Sequence, residues 1–249
     1  MNIQQALSLL VMVLGMVPFA GAVNPAAADS ADEQKLYQWY GERSLGFNRS
    51  TGNSRVDNLL GALRLRRDGR QWESDFKLDL VVSSRDGLKN RQTATVEGQA
   101  GYRFSSSRYA FANIRYMDDR FGPFASQASV SAGLGWRPFR GERRQLSLEG
   151  AVGVRRSQQQ VTQLTQSEAI MGGKLDWQYQ LTGTTQLLKN LKVEAGEENT
   201  LVESETALRL KITTDLGLKV SYRLRNNSQA QQGINGTDTL TALSLDFAF

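Results

Sequence analysis

Glu73, Asp75, Lys77 and Asp79 stand at every second position of one short stretch, with Phe76, Leu78 and Leu80 in the alternate places. Successive side chains of a strand point to opposite sides, so these four charges share one face of an extended chain. Such a row has three chemical uses. It can line a polar passage. It can pair with charges on a facing wall. Its acids can work as general acid and base, or hold a cation. The third use finds little support. The chain has no histidine and no cysteine, which excludes a histidine-dependent hydrolytic site, a thiolate nucleophile and a Cys/His zinc site. Asp118-Asp119, within Arg115-Tyr116-Met117-Asp118-Asp119-Arg120, is a further acidic pair. Two carboxylates fall well short of the roughly six to eight oxygens that calcium takes. The expectation is a non-enzymatic protein with no cofactor, no metal and no catalytic residue.

The first use gains support because the row is repeated. On the same parity, Glu97, Glu149, Glu168, Asp176, Glu194 and Glu205 alternate with apolar residues, and so do Arg64, Arg66, Arg103, Arg115, Arg155, Lys174, Lys192, Arg209, Lys211, Lys219, Arg223 and Arg225. The expected lining of an inner wall is Asp75, Lys77, Asp79, Glu97, Arg103, Glu149, Arg155, Lys174, Asp176, Arg209, Lys211, Lys219, Arg223 and Arg225. Bases gather in the last strands, which favours small anionic solutes. The opposite parity carries Leu59, Leu63, Leu65, Trp72, Leu80, Val96, Ile114, Val130, Leu134, Leu148, Val152, Met171, Leu208, Leu218 and Val220. One face charged and one face apolar, strand after strand, is the pattern of a membrane β-barrel.

The elements that must present these faces follow from the period of two. The pattern predicts about twelve antiparallel strands, an even number as closed bacterial barrels require. The first three run over residues 42–50, 55–66 and 71–82, with Thr51-Gly52-Asn53 and the Asp68-Gly69 hairpin between them. Compact turns are expected near residues 67–70, 105–108, 138–143, 182–184 and 213–215, and longer polar loops near 83–91, 118–125, 157–166, 197–203 and 226–236. The short-turn end collects Trp72, Tyr102, Phe104, Trp136, Trp177, Tyr179, Phe247 and Phe249, as an interfacial girdle does. Phe247 and Phe249 end an alternating last strand and are expected to signal barrel assembly. Lys189 falls on the apolar parity, which fits either a bulge or an interfacial lysine that snorkels.

Composition agrees. Thirty Lys and Arg against 25 Asp and Glu leave a net charge of +5 with no basic block, so nucleic acid is not an expected partner. Mean hydropathy is -0.42, which suits strands that are apolar on alternate positions only. Residues 1–28 contain no charged side chain, and residues 6–22 form a short apolar run ending in Ala20-Gly21-Ala22, with Ala26-Ala27-Ala28 beyond. This reads as a cleaved secretory signal peptide, cut after Ala22 or Ala28. A short periplasmic segment over 29–40 and a barrel over 41–249 complete the expected organisation.

Several short motifs carry a family resemblance. They are Gly46-Phe47-Asn48-Arg49-Ser50-Thr51-Gly52-Asn53-Ser54, Tyr102-Arg103-Phe104 before a serine-rich turn, Tyr109-Ala110-Phe111 after it, Gly133-Leu134-Gly135-Trp136, and the Phe-terminated last strand. In order and spacing the chain, over roughly residues 38–249, resembles the YdiY-like salt-induced outer-membrane proteins, domain-of-unknown-function family 481. The resemblance implies a Gram-negative outer-membrane barrel described as a porin, and it supplies no catalytic residues. The functional expectation is passive diffusion of small polar or anionic solutes through a narrow, charge-lined lumen. The alternative is a non-conducting structural or surface-binding barrel with a lipopolysaccharide or envelope-stress role. Expected partners are outer-membrane lipid and lipopolysaccharide, the barrel-assembly machinery, and small solutes.

Overall fold

A computed structural model describes residues 38–50, 56–229 and 235–249. The expected signal peptide, most of the expected segment 29–40 and the Thr51-Gly52-Asn53 turn lie outside these described residues. Twelve strands follow one another: β1 (Gln38–Ser50), β2 (Val56–Asp68), β3 (Trp72–Arg85), β4 (Leu88–Arg103), β5 (Arg108–Asp119), β6 (Phe124–Arg140), β7 (Arg144–Gln159), β8 (Thr165–Gln180), β9 (Thr185–Gly196), β10 (Thr200–Lys211), β11 (Leu216–Asn227) and β12 (Thr237–Ala248). Each pairs antiparallel with its neighbours in sequence, and β12 pairs with β1 to close the barrel. Closure leaves no free edge, so every strand has a ladder partner on both sides.

The apolar parity faces outward. Leu45, Leu59, Trp72, Ile114, Val130, Leu134, Val152 and Met171 all stand exposed on that wall. A contiguous exposed apolar surface around a closed barrel is what lipid covers. Charged and polar side chains fill the inside, where Glu73, Arg115, Arg155, Lys219 and Asp246 are buried. Apolar residues enter the interior in small groups, such as Leu60, Val81, Leu240 and Ala242. Tyr109, Phe111 and Met117, which blur the pattern of β5, also point inward and are buried.

Both described chain ends lie at one rim, here the terminal rim, together with turns 69–71, 104–107, 141–143, 181–184 and 212–215. The far rim differs from expectation. The longer loop expected near 83–91 is a two-residue hairpin, Asp86-Gly87, with φ of 52° and 81°. Asp-Gly meets the positive φ that a type I′ turn requires at both central positions. The flanking polar residues therefore stay in the ladder, through a single irregularity at Ser83/Ser84. Connections 120–123, 160–164 and 197–199 are short as well. The two rims are thus less different in turn length than the composition of the connections suggests.

Two local devices shape the wall. Phe249 lays its ring over Gly41 of β1, so close that a Cβ there would meet ring carbon at 2.2 Å. Arg43 covers the same ring at 4.5 Å. Paired hydrogen bonds between the Gly41 and Phe249 backbones, 2.8 and 2.9 Å, close the seam. In β6 the ladder shifts between Trp136 and Phe139, around Pro138. A bulge is where a strand tolerates a residue without an N–H. It lets β6 run on to Arg140, past the turn expected at 138–143.

Candidate functional site

The site is the lumen. Its inner wall is a lattice of opposite charges set by the ladder, in which Glu42 faces Arg64, Lys77 faces Glu97, and Glu97 faces Arg115. Neighbouring positions on one face of adjacent strands bring side chains within reach of one another. Beyond these neighbours, long side chains cross the barrel. Arg115 on β5 donates to Glu203 on β10 at 2.7 Å. Arg225 on β11 donates to Asp119 on β5 at 2.9 Å. Arg223 on β11 lies 3.5 Å from Asp79 on β3. Arg209 on β10 reaches Glu42 on β1 at 2.7 Å and Asp246 on β12 at 3.0 Å.

The two ends of the lumen are pinned differently. Near the terminal rim, Glu73 is buried among Arg137, Arg66 and Arg103, and Arg137 continues the inward parity of β6. Arg137 also lies over the Tyr109 ring at 4.0 Å, and the Tyr109 hydroxyl donates to Glu149 at 2.6 Å. Gly135 makes room for that ring, since a Cβ there would sit 2.1 Å from it. Toward the far rim, Arg155 donates to Glu168 at 2.7 Å and to the Asn199 carbonyl, while Glu194 stands 3.8 Å away.

Between these ends lies a cavity of about 940 Å³. Of the expected lining, Asp75, Lys77, Asp79, Glu97, Glu149, Lys174, Asp176, Arg209, Lys219, Arg223 and Arg225 border it. Arg103 and Arg155 face inward but are locked in the two end clusters. Lys211, the last residue of β10, stands exposed at the terminal rim and outside the lining. Several inward charges were not expected. Glu203 belongs to β10 rather than to a loop, and Arg137 lies beyond the expected end of its strand. Glu42, Asp246 and Asp119 complete the cross-lumen pairs. Period-two parity extended by a few residues would have found Glu203 and Arg137.

Pairing changes the meaning of the basic cluster on the last strands. Arg209, Lys219, Arg223 and Arg225 each meet a carboxylate within 4 Å. Lys77 is different: it borders the cavity, and no carboxylate lies within ion-pair distance of it among the described residues. Asp118 and Asp119 are not a joint site. Asp118 is on the outward parity, whereas Asp119 accepts from the Phe121 and Gly122 amides and from Arg225. Among the described residues no cluster of acids suits a metal.

The family model described as "Protein of unknown function, DUF481" matches residues 44–249. The uncharacterized protein YdiY of Escherichia coli (strain K12) is 24% identical over 256 residues, covering 97% of this chain and 100% of that protein. Among solved structures, an outer-membrane channel from Pseudomonas putida F1 is 13% identical with a TM-score of 0.49, over 86% of this chain and 94% of that one. The NanC porin is 11% identical with a TM-score of 0.46, over 85% and 98%.

Proposed function

This chain belongs to the DUF481 family, and for its outer-membrane barrel we propose passive diffusion of small polar solutes, with a preference for anions. The observation that carries this reading is the charged cavity of about 940 Å³ inside a closed barrel. Lysines and arginines outnumber aspartates and glutamates along its lining, so the field inside favours negative solutes. Ion pairs that cross the lumen keep it narrow. A twelve-strand barrel is already slimmer than the wide aqueous porins, and the crossbars reduce it further. Solutes then pass by displacing charged side chains rather than through an open bore.

The Arg225–Asp119 and Arg115–Glu203 crossbars favour a second reading, a barrel braced shut that acts through its surface. Reversal potential across a salt gradient separates the two. A channel of the proposed kind shows current with a potential displaced toward the anion equilibrium value, and more so at low salt. A braced barrel shows no current to measure.

A further inference from the structure

The outer wall carries a charge that the lumen does not explain. Lys189 points outward on β9, between Leu187 and Leu191. Neither β8–β9 nor β9–β10 shows a register shift, so no bulge places it there. Its ammonium does not simply reach for the rim. It donates sideways across the ladder, to Ser204 Oγ at 2.8 Å and Thr206 Oγ1 at 2.9 Å, both on the outward parity of β10. An ammonium has three N–H donors, so one donor and the whole positive charge are left over. No carboxylate lies within ion-pair distance of it among the described residues. In a wall that faces lipid, an uncompensated cation is costly and calls for an anionic partner.

The surroundings say which anion. Along the ladder Lys189 stands beside Trp177 on one side and Thr206 on the other, and Thr206 stands beside Tyr222. Trp177 belongs to the aromatic group near the terminal rim, and its indole stacks near Tyr179 at 6.0 Å. Such amphipathic rings settle where hydrocarbon meets headgroups. A lysine stem is long enough to carry its ammonium from this level to the phosphate layer. A second copy of the chain fits worse, because a two-fold contact on this patch would set one lysine against its own symmetry mate. We propose that Lys189, with the Ser204 and Thr206 hydroxyls, binds the phosphate of an anionic lipid headgroup on the outer wall of β9 and β10.

The test compares the refolded full chain in vesicles of phosphatidylglycerol and of phosphatidylcholine with matched acyl chains. The wild type should melt about 2–4 °C higher in phosphatidylglycerol. Lys189→Met should lose that difference, and Lys189→Arg should keep it. Native mass spectrometry of the wild type should find phosphatidylglycerol retained in preference to phosphatidylcholine, a measurement that stands even if the Met variant fails to fold. The proposal is overturned by equal melting in the two lipids, by a Met variant that keeps the difference, or by equal retention of both lipids. It is also overturned if Lys189→Cys barrels in phosphatidylcholine crosslink to one another, since the patch would then join two copies.

Discussion

Arg225 and Asp119 meet at 2.9 Å from strands β11 and β5, which lie half-way round the barrel from each other. Both side chains are almost wholly buried, and Asp119 also accepts the amides of Phe121 and Gly122. One bond therefore ties together opposite walls and a far-rim turn. Among the described residues Arg225 Nε and Nη2 have no hydrogen-bond partner, although Nε lies 3.8 Å from a Glu203 carboxylate oxygen, so the crossbar is strongest at Nη1.

Removing one partner strands the other. Asp119→Ala should cost about 3–5 kcal/mol, because it leaves a buried guanidinium uncompensated. Arg225→Ala in the same background should add much less than its cost alone. Urea unfolding of the four proteins of this cycle, in matched lipid, checks it. Additive losses would mean that the pair is not coupled.

The closing seam makes a second prediction. Gly41→Val puts a side chain where the Phe249 ring lies, so it should slow assembly and weaken the β1–β12 seam, which is the shortest ladder in the barrel. Phe249→Ala should give a milder version of the same defect, since it removes the ring and its Arg43 contact but leaves Gly41 free. The fraction of heat-modifiable, protease-resistant barrel measures both. A Gly41→Val barrel that assembles at the wild-type rate would contradict the seating of the ring.

Leu80, Leu148 and Leu218 are on the outward parity, and Asp79, Glu149 and Lys219 line the cavity. Arginine at a lipid-facing position should cost about 2–4 kcal/mol near the bilayer midplane. Asp79→Asn should instead alter conductance or selectivity more than folding. Equal damage to folding from both sets would indicate an interior that behaves as a two-sided core.

Selectivity is best read at Lys77. It borders the cavity with no carboxylate within ion-pair distance among the described residues, whereas Lys219 and Arg223 are held by Asp246 and by Asp79 and Glu205. Lys77→Glu should shift the reversal potential toward cations more than Arg223→Glu does, because reversing a paired charge also rearranges its partners. The opposite order would place the controlling charges on β11.

Much of this barrel is legible in the alternation of single strands. Glu73, Asp75, Lys77 and Asp79 declare an inner face without any knowledge of their partners, because pleat geometry is local. The far-rim turns were harder. Ser83, Ser84, Arg85, Lys89 and Asn90 look like a loop by composition, yet Asp86-Gly87 alone reverses the chain. Polar residues there extend the strands instead of ending them. That charges would pair across the lumen was legible; which ones pair was not. That Arg115 meets Glu203 depends on closure and on which strands face each other across the barrel, neither of which the residues of β5 or β10 encode. For that reason the basic residues of the last strands read as a free cluster in the sequence and as paired crossbars in the fold.

The most direct measurement is current through the refolded barrel in a planar bilayer. A narrow, charge-lined lumen predicts small, discrete conductance steps, displaced toward anions under a salt gradient, that grow when Asp119 and Arg225 are both replaced by alanine. A correctly folded barrel that passes no current at any voltage, with or without those crossbars, would contradict the diffusion channel.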